Sequence, residues 1–87
     1  MNAPIRFALG CSFDFDRNGV AFYATHNGEE ILCLVSEEAL QEHFGADGGA
    51  QAFIDAFEFH RIEIERVAEK RIRNGDQEPI MLVSRDF

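Results

Sequence analysis

The stretch Val20-Ala21-Phe22-Tyr23-Ala24-Thr25-His26-Asn27-Gly28-Glu29-Glu30-Ile31-Leu32-Cys33-Leu34-Val35 decides the fold. Two apolar runs flank Asn27-Gly28, and these two residues tolerate the positive φ that a two-residue type I′ hairpin turn requires. Counting outward from that turn pairs Val20 with Val35, Phe22 with Cys33 and Ala24 with Ile31, so these six residues share one side of the sheet. This side is the expected core face. The other side pairs Ala21 with Leu34, Tyr23 with Leu32 and Thr25 with Glu30, which is more apolar than a solvated face. Tyr23, Leu32 and Leu34 are therefore a candidate interaction surface.

Upstream of the hairpin, the odd positions from Ile5 to Phe15 are apolar or Cys and the even positions are polar or small. That alternation predicts a strand with one buried face. Pro4 and Gly10 limit it to a short strand near 5–8, followed by a looser segment pinned by Phe13 and Phe15. Downstream, Ser36-Glu37-Glu38 reads as an N-cap and an acidic first turn, and Gly45 closes that short helix. Asp47 is the expected cap of the next helix. No breaker interrupts residues 50–74, which predicts one long helix whose apolar stripe runs through Phe53, Ala56, Phe57, His60, Ile64, Val67 and Ala68. Ile80-Met81-Leu82-Val83 is continuously apolar, as in a strand buried inside a sheet.

These elements predict an α+β fold in one domain over residues 1–87: a two-layer sandwich with a short and a long helix on one face. The expected sheet is small and antiparallel, made of the first strand, the hairpin and the C-terminal strand. Nine Phe in 87 residues supply the bulk that a small core needs.

Charge narrows the function classes. Sixteen acids against eight Lys and Arg give −8, which opposes binding to polyanions, so no nucleic-acid partner is expected. The excess is uneven: residues 1–60 carry the whole −8, residues 61–73 carry +2, and residues 74–87 return −2. Arg66, Lys70 and Arg73 are cationic, but interleaved acids weaken them as a nucleic-acid contact. No apolar run approaches the roughly 20 residues of a membrane span, and Met1-Asn2-Ala3-Pro4 lacks the pattern of a secretory leader, so a cytoplasmic protein without a membrane partner is expected.

Site motifs are sparse. Asp14-x-Asp16-x-Asn18-Gly19 matches the first half of a calcium loop, but the twelfth position is Thr25 instead of a bidentate Glu, so it reads as a turn. His26, His43, His60, Cys11 and Cys33 fall at no zinc-ligand spacing, and neither a metal nor a cofactor is expected. Cys33, within an apolar run, reads as a buried hydrophobe. On the long helix, Phe59, Ile62 and Arg66 lie off the core stripe and have the composition of a protein interface. His60, Arg61 and Glu65 form a possible ligand site if they converge on a pocket.

Ile5-x-Phe7, Asp14 or Asp16, Val20-x-Phe22-x-Ala24, Asn27-Gly28, Ile31-x-Cys33, Ser36-x-Glu38-Ala39-Leu40, His43-Phe44-Gly45, Ala56-Phe57, Arg61, Ile62-Glu63, Ala68 and Asp86-Phe87 occur here in one order. Their order and spacing resemble those of a small bacterial family, domain-of-unknown-function family 1488, over nearly the whole chain. The resemblance implies an α+β fold in a bacterial cytosol and a shared pattern that includes Cys33, Phe44, Gly45, Arg61 and Glu63. It carries no catalytic signature. The favoured expectation is a non-catalytic interaction or regulatory module with a protein partner or as a homodimer. The alternative is a small-ligand-binding domain or enzyme using His60, Arg61 and a carboxylate such as Glu65.

Overall fold

The hairpin forms in the expected register: strands β2 (Gly19–His26) and β3 (Glu29–Ser36) are antiparallel, with Val20 opposite Val35, Phe22 opposite Cys33 and Ala24 opposite Ile31. Asn27 and Gly28 hold the turn at φ 55° and 78°. The computed structural model describes residues 3–87; Met1 and Asn2, part of the segment read above for a leader, lie outside the described residues. At the other end of β2, a Cβ on Gly19 would meet the Val35 carbonyl oxygen at 2.5 Å, so close strand approach requires glycine there.

The fold is α+β, with four strands in the order β1-β2-β3-β4. The first strand, β1 (Ile5–Asp14), is longer than expected and pairs antiparallel with β2, but its register shifts between Phe7 and Cys11. Phe7 faces Ala24 and Cys11 faces Phe22, so Ala8, Leu9 and Gly10 lie opposite Tyr23 alone. This wide bulge adds an even number of residues. Because side chains alternate with period two, Phe7, Cys11 and Phe13 all still pack against the core. Leu9, inside the bulge, does not follow the alternation and is exposed. Phe15 is likewise not the expected pin: it is 75% exposed, its ring lying edge-on to Phe13, which itself stacks on Phe53.

The Ser36 hydroxyl accepts from the Ala39 N–H at 3.1 Å and caps α1 (Glu37–Phe44). Gly45 closes it with φ 71°. The cap of the next helix is not Asp47 but Gly49, whose carbonyl accepts from Ala52 and Phe53. The expected long helix is two: α2 (Ala50–Phe59) and α3 (Arg61–Arg73), broken at His60, where φ is −108° and ψ 21°. The break needs no Pro or Gly. The two segments pack on different parts of the sheet, α2 against β1 and β2, and α3 against β4.

The last strand, β4 (Ile80–Leu82), departs furthest from expectation. It is an edge strand parallel to β3, with Ile80 beside Cys33 and Leu82 beside Val35. A parallel return requires a crossover of a dozen or more residues, and α1, α2 and α3 supply it. Ile80 and Leu82 are fully buried in the helix-facing core, whereas Met81 is half-buried on the other face. The core joins Phe22, Cys33 and Val35 of the sheet to Leu40, Phe57 and Ile64 of the helices. Arg71 ties down the C-terminal segment by donating to Asp76, to the Met81 carbonyl and to Asp86. No helix among the described residues is long and apolar enough to cross a membrane.

Candidate interaction surface

Arg61, the first residue of α3, organises the region where β1 bulges. Its Nη2 donates to the Ala8 carbonyl at 2.7 Å and its Nη1 to the Leu9 carbonyl at 2.8 Å. Nη1 also donates to Glu58 Oε1 at 2.7 Å, and Nε donates to Glu65 Oε2 at 2.8 Å. The guanidinium carbon lies 4.9 Å from the centre of the Phe57 ring. A bulge loses its regular ladder partners, and this planar fork replaces two of them while pairing with two carboxylates. Glu58 Oε1 accepts from the Cys11 thiol as well, at 3.3 Å. Burial, then the Glu58 carboxylate, pushes that thiol up to about 11, so Cys11 is protonated and unreactive near neutrality. Cys33 is pushed up to about 12, chiefly by burial, and neither cysteine is in a disulfide.

The clamp fixes a loop whose tip points outward. Leu9 is 88% exposed, and beside the clamp Phe59 and Ile62 are 85% and 70% exposed. Two open grooves, of about 580 and 440 Å³, meet at Arg61, Ile62 and Arg66; Phe59 lines the first and Leu9 the second. A third, of about 340 Å³, continues along α3 between Arg66, Glu69, Lys70 and Arg73. Glu69 is already held by Arg73 at 3.1 Å. Among the described residues, Arg66 and Lys70 have no ion-pair partner, so this end of the face is positive.

The residues singled out from the sequence separate accordingly. Phe59, Ile62 and Arg66 come together on the outer face. Leu34 has no exposed surface, lying in register between Ala21 of β2 and Met81 of β4, which removes it from the candidate surface. Tyr23 retains 41% exposure and Leu32 is half-buried, its N–H donating to the Glu78 carboxylate. Arg61 and Glu65 do meet, but as parts of the clamp. His60 lines the first groove with Phe59 and Arg61, its ring 4.8 Å from Phe44 and 5.0 Å from Phe59, centre to centre, whereas Glu65 lines the second groove. Leu9 was missed because strict alternation turned it inward; the one signal was Gly10, which interrupts a strand pattern as residues at bulges do.

Among the described residues, no three His, Cys, Asp or Glu side chains are grouped to hold a metal ion. In the calcium-like string, the Asp14 carboxylate accepts from the N–H groups of Asp16 and Arg17, both at 3.0 Å, and from the Arg17 guanidinium at 3.1 Å. The Arg17 backbone bond, with these others, holds the Asp14 carboxyl below its usual range. Its oxygens build the turn.

Comparison with known proteins settles the lineage. Residues 5–82 match the sequence profile of DUF1488, described as a protein of unknown function. The chain belongs to the DUF1488 family. It is 31% identical over 78 residues to the uncharacterized protein YrdB of Escherichia coli (strain K12), covering 90% of this chain and 91% of that protein. Its identity to the YrdB of Shigella flexneri is 30% over the same length and shares. The crystal structure of a DUF1488 protein of unknown function from Shewanella loihica PV-4 superposes with a TM-score of 0.80 at 27% identity, covering 95% of this chain and 93% of that one. Within this DUF1488 chain, the five residues of the shared pattern have distinct placements. Cys33 and Phe44 are buried in the core, Gly45 provides the left-handed cap, and Arg61 forms the clamp. Glu63 is exposed, next to Ile62.

Proposed function

We infer that this DUF1488 chain is a non-catalytic protein-interaction module of the bacterial cytoplasm, docking through the outer face of α2–α3 together with Leu9. The observation that carries the reading is the joint display of Leu9, Phe59 and Ile62 around Arg61. Isolated exposed apolar residues need no explanation, but a contiguous patch rimmed by charge has the composition of an interface. The clamp adds a second support: it makes the patch rigid before any partner arrives, which lowers the ordering cost of binding. Against a ligand site, Arg61 and Glu65 already satisfy one another, and His60 and Glu65 line different grooves. Two free cysteines accord with a reducing compartment.

The double variant Phe59→Ser/Ile62→Ser tests this. Because both residues are largely exposed, each change is expected to alter unfolding free energy by no more than about 0.5 kcal/mol in urea titrations. On native gels of gently lysed cells, wild type is expected in a larger complex and the variant outside it. Equal migration of the two would contradict the reading.

A further inference from the structure

We propose that the occupant of this face is a second copy of the chain, docked by an antiparallel two-fold contact of α2–α3 on α2–α3. The inference rests on the interaction reading above and adds the partner. Its basis is the order of charges along the exposed face. Asp55 and Glu58 of α2 and Glu63 in the first turn of α3 make the N-terminal half of this face acidic, while Arg66, Lys70 and Arg73 further along α3 make its C-terminal half basic. Phe59 and Ile62 lie within the acidic half, close to the boundary. A two-fold axis near that boundary turns one copy end for end, so the acidic half of each faces the basic half of the other, twice. Parallel docking would set like charges together, so charge selects the antiparallel arrangement.

The clamp leaves these charges available. Glu58 uses Oε1 alone towards Arg61 and Cys11, and Glu63, Arg66 and Lys70 have no ion-pair partner among the described residues. Net charge makes local complementarity necessary: two copies at −8 repel, and the α3 end of this face is where cations outnumber acids. Size also fits. The two helices, α2 of 10 residues and α3 of 13, are about 15 and 20 Å long at 1.5 Å per residue, on a molecule measuring 41 × 22 × 22 Å. A face of their combined length and roughly 20 Å wide covers on the order of 700 Å², close to the ~800 Å² per partner of a stable interface. Leu9 and Ile62 provide the central apolar anchors that such interfaces need.

Sedimentation velocity of the full chain across the micromolar range tests the proposal, with two charge variants that leave the clamp intact. Arg66→Glu/Lys70→Glu makes both halves acidic, and Asp55→Lys/Glu63→Lys makes both halves neutral to basic. Wild type is expected to sediment at twice the 9.9 kDa chain mass. Each variant alone, with its circular dichroism unchanged, is expected to dissociate at least ~10-fold more readily, as lost charge pairing requires. An equimolar mixture of the two variants is expected to restore the dimer. A wild type that stays monomeric, variants that dimerise as well as wild type, or a mixture that fails to recover would each overturn it. A monomeric wild type whose position 62 still cross-links to a different protein in cells would remove the second copy and leave the interaction reading standing; absence of any cross-link there would remove both.

Discussion

Replacing Phe57 by Ala is expected to cost about 3–5 kcal/mol of folding stability, the largest effect of any single substitution considered for this chain. Phe57 is fully buried, and its ring centre lies 4.9 Å from that of Phe22 on the central part of the sheet. Its other side supports the Arg61 guanidinium. Truncation therefore opens a cavity between α2 and β2 and removes the floor of the clamp together. A chain of 87 residues has at most a modest reserve, and natural domains hold about 5–15 kcal/mol in all. Urea unfolding followed by circular dichroism should show a large fall in midpoint for Phe57→Ala and a smaller one for Phe57→Leu. A Phe57→Ala unfolding free energy within about 1 kcal/mol of wild type would mean that the helix–sheet core collapses onto the gap, and would count against this packing.

Arg61→Ala is expected to cost about 1–3 kcal/mol, because it leaves two bulge carbonyls and two carboxylates without their shared donor. The side chain is only 16% exposed, but Ala8, Leu9 and Glu58 are exposed and regain water when it is removed, which keeps the cost below that of a fully buried network. Glu58 and Glu65, no longer bridged, would also repel each other. At roughly 4–8 °C per kcal/mol for a domain of this size, the melting temperature should fall by about 4–24 °C. Arg61→Lys should lose most of the same stability. A single ammonium cannot span two carbonyls and two carboxylates as a planar fork does. Full retention of stability by Arg61→Lys would show that charge alone, and not the fork, holds the bulge. Differential scanning calorimetry of the three proteins separates these outcomes.

The features legible in the sequence are those set by near neighbours. The Asn27-Gly28 turn placed every partner in the hairpin, from Thr25 opposite Glu30 to Val20 opposite Val35. Ser36 and Gly45 bounded α1 because capping is a one-turn interaction. What was not legible depends on partners far along the chain. The parallel edge placement of β4 follows from how three helices cross the sheet, while its apolar run reads equally well as an interior strand. His60 sits on an apolar stripe that continues through the break, so the stripe predicted burial correctly and continuity wrongly. The task of Arg61 was hidden for the same reason. Its backbone acceptors lie 52 and 53 residues away, in a bulge whose even insertion leaves the flanking alternation undisturbed. Phe59, Ile62 and Arg66 could be recognised as a surface because a helix has to place residues off its stripe on the outside, whereas Leu9 needed the bulge to join them.

The clamp also connects stability to function. Arg61 variants should weaken association more than their loss of folded population explains, since they free the loop that carries Leu9. The central claim is that the face around Ile62 meets another protein surface. It is tested most directly by placing a photo-activated cross-linking residue at position 62 in living cells and comparing it with one at Glu30, exposed on the hairpin. One discrete adduct is expected from position 62, lost when Phe59 is changed to Ser, and none from position 30. No adduct at position 62, or the same diffuse labelling from both positions, would contradict it.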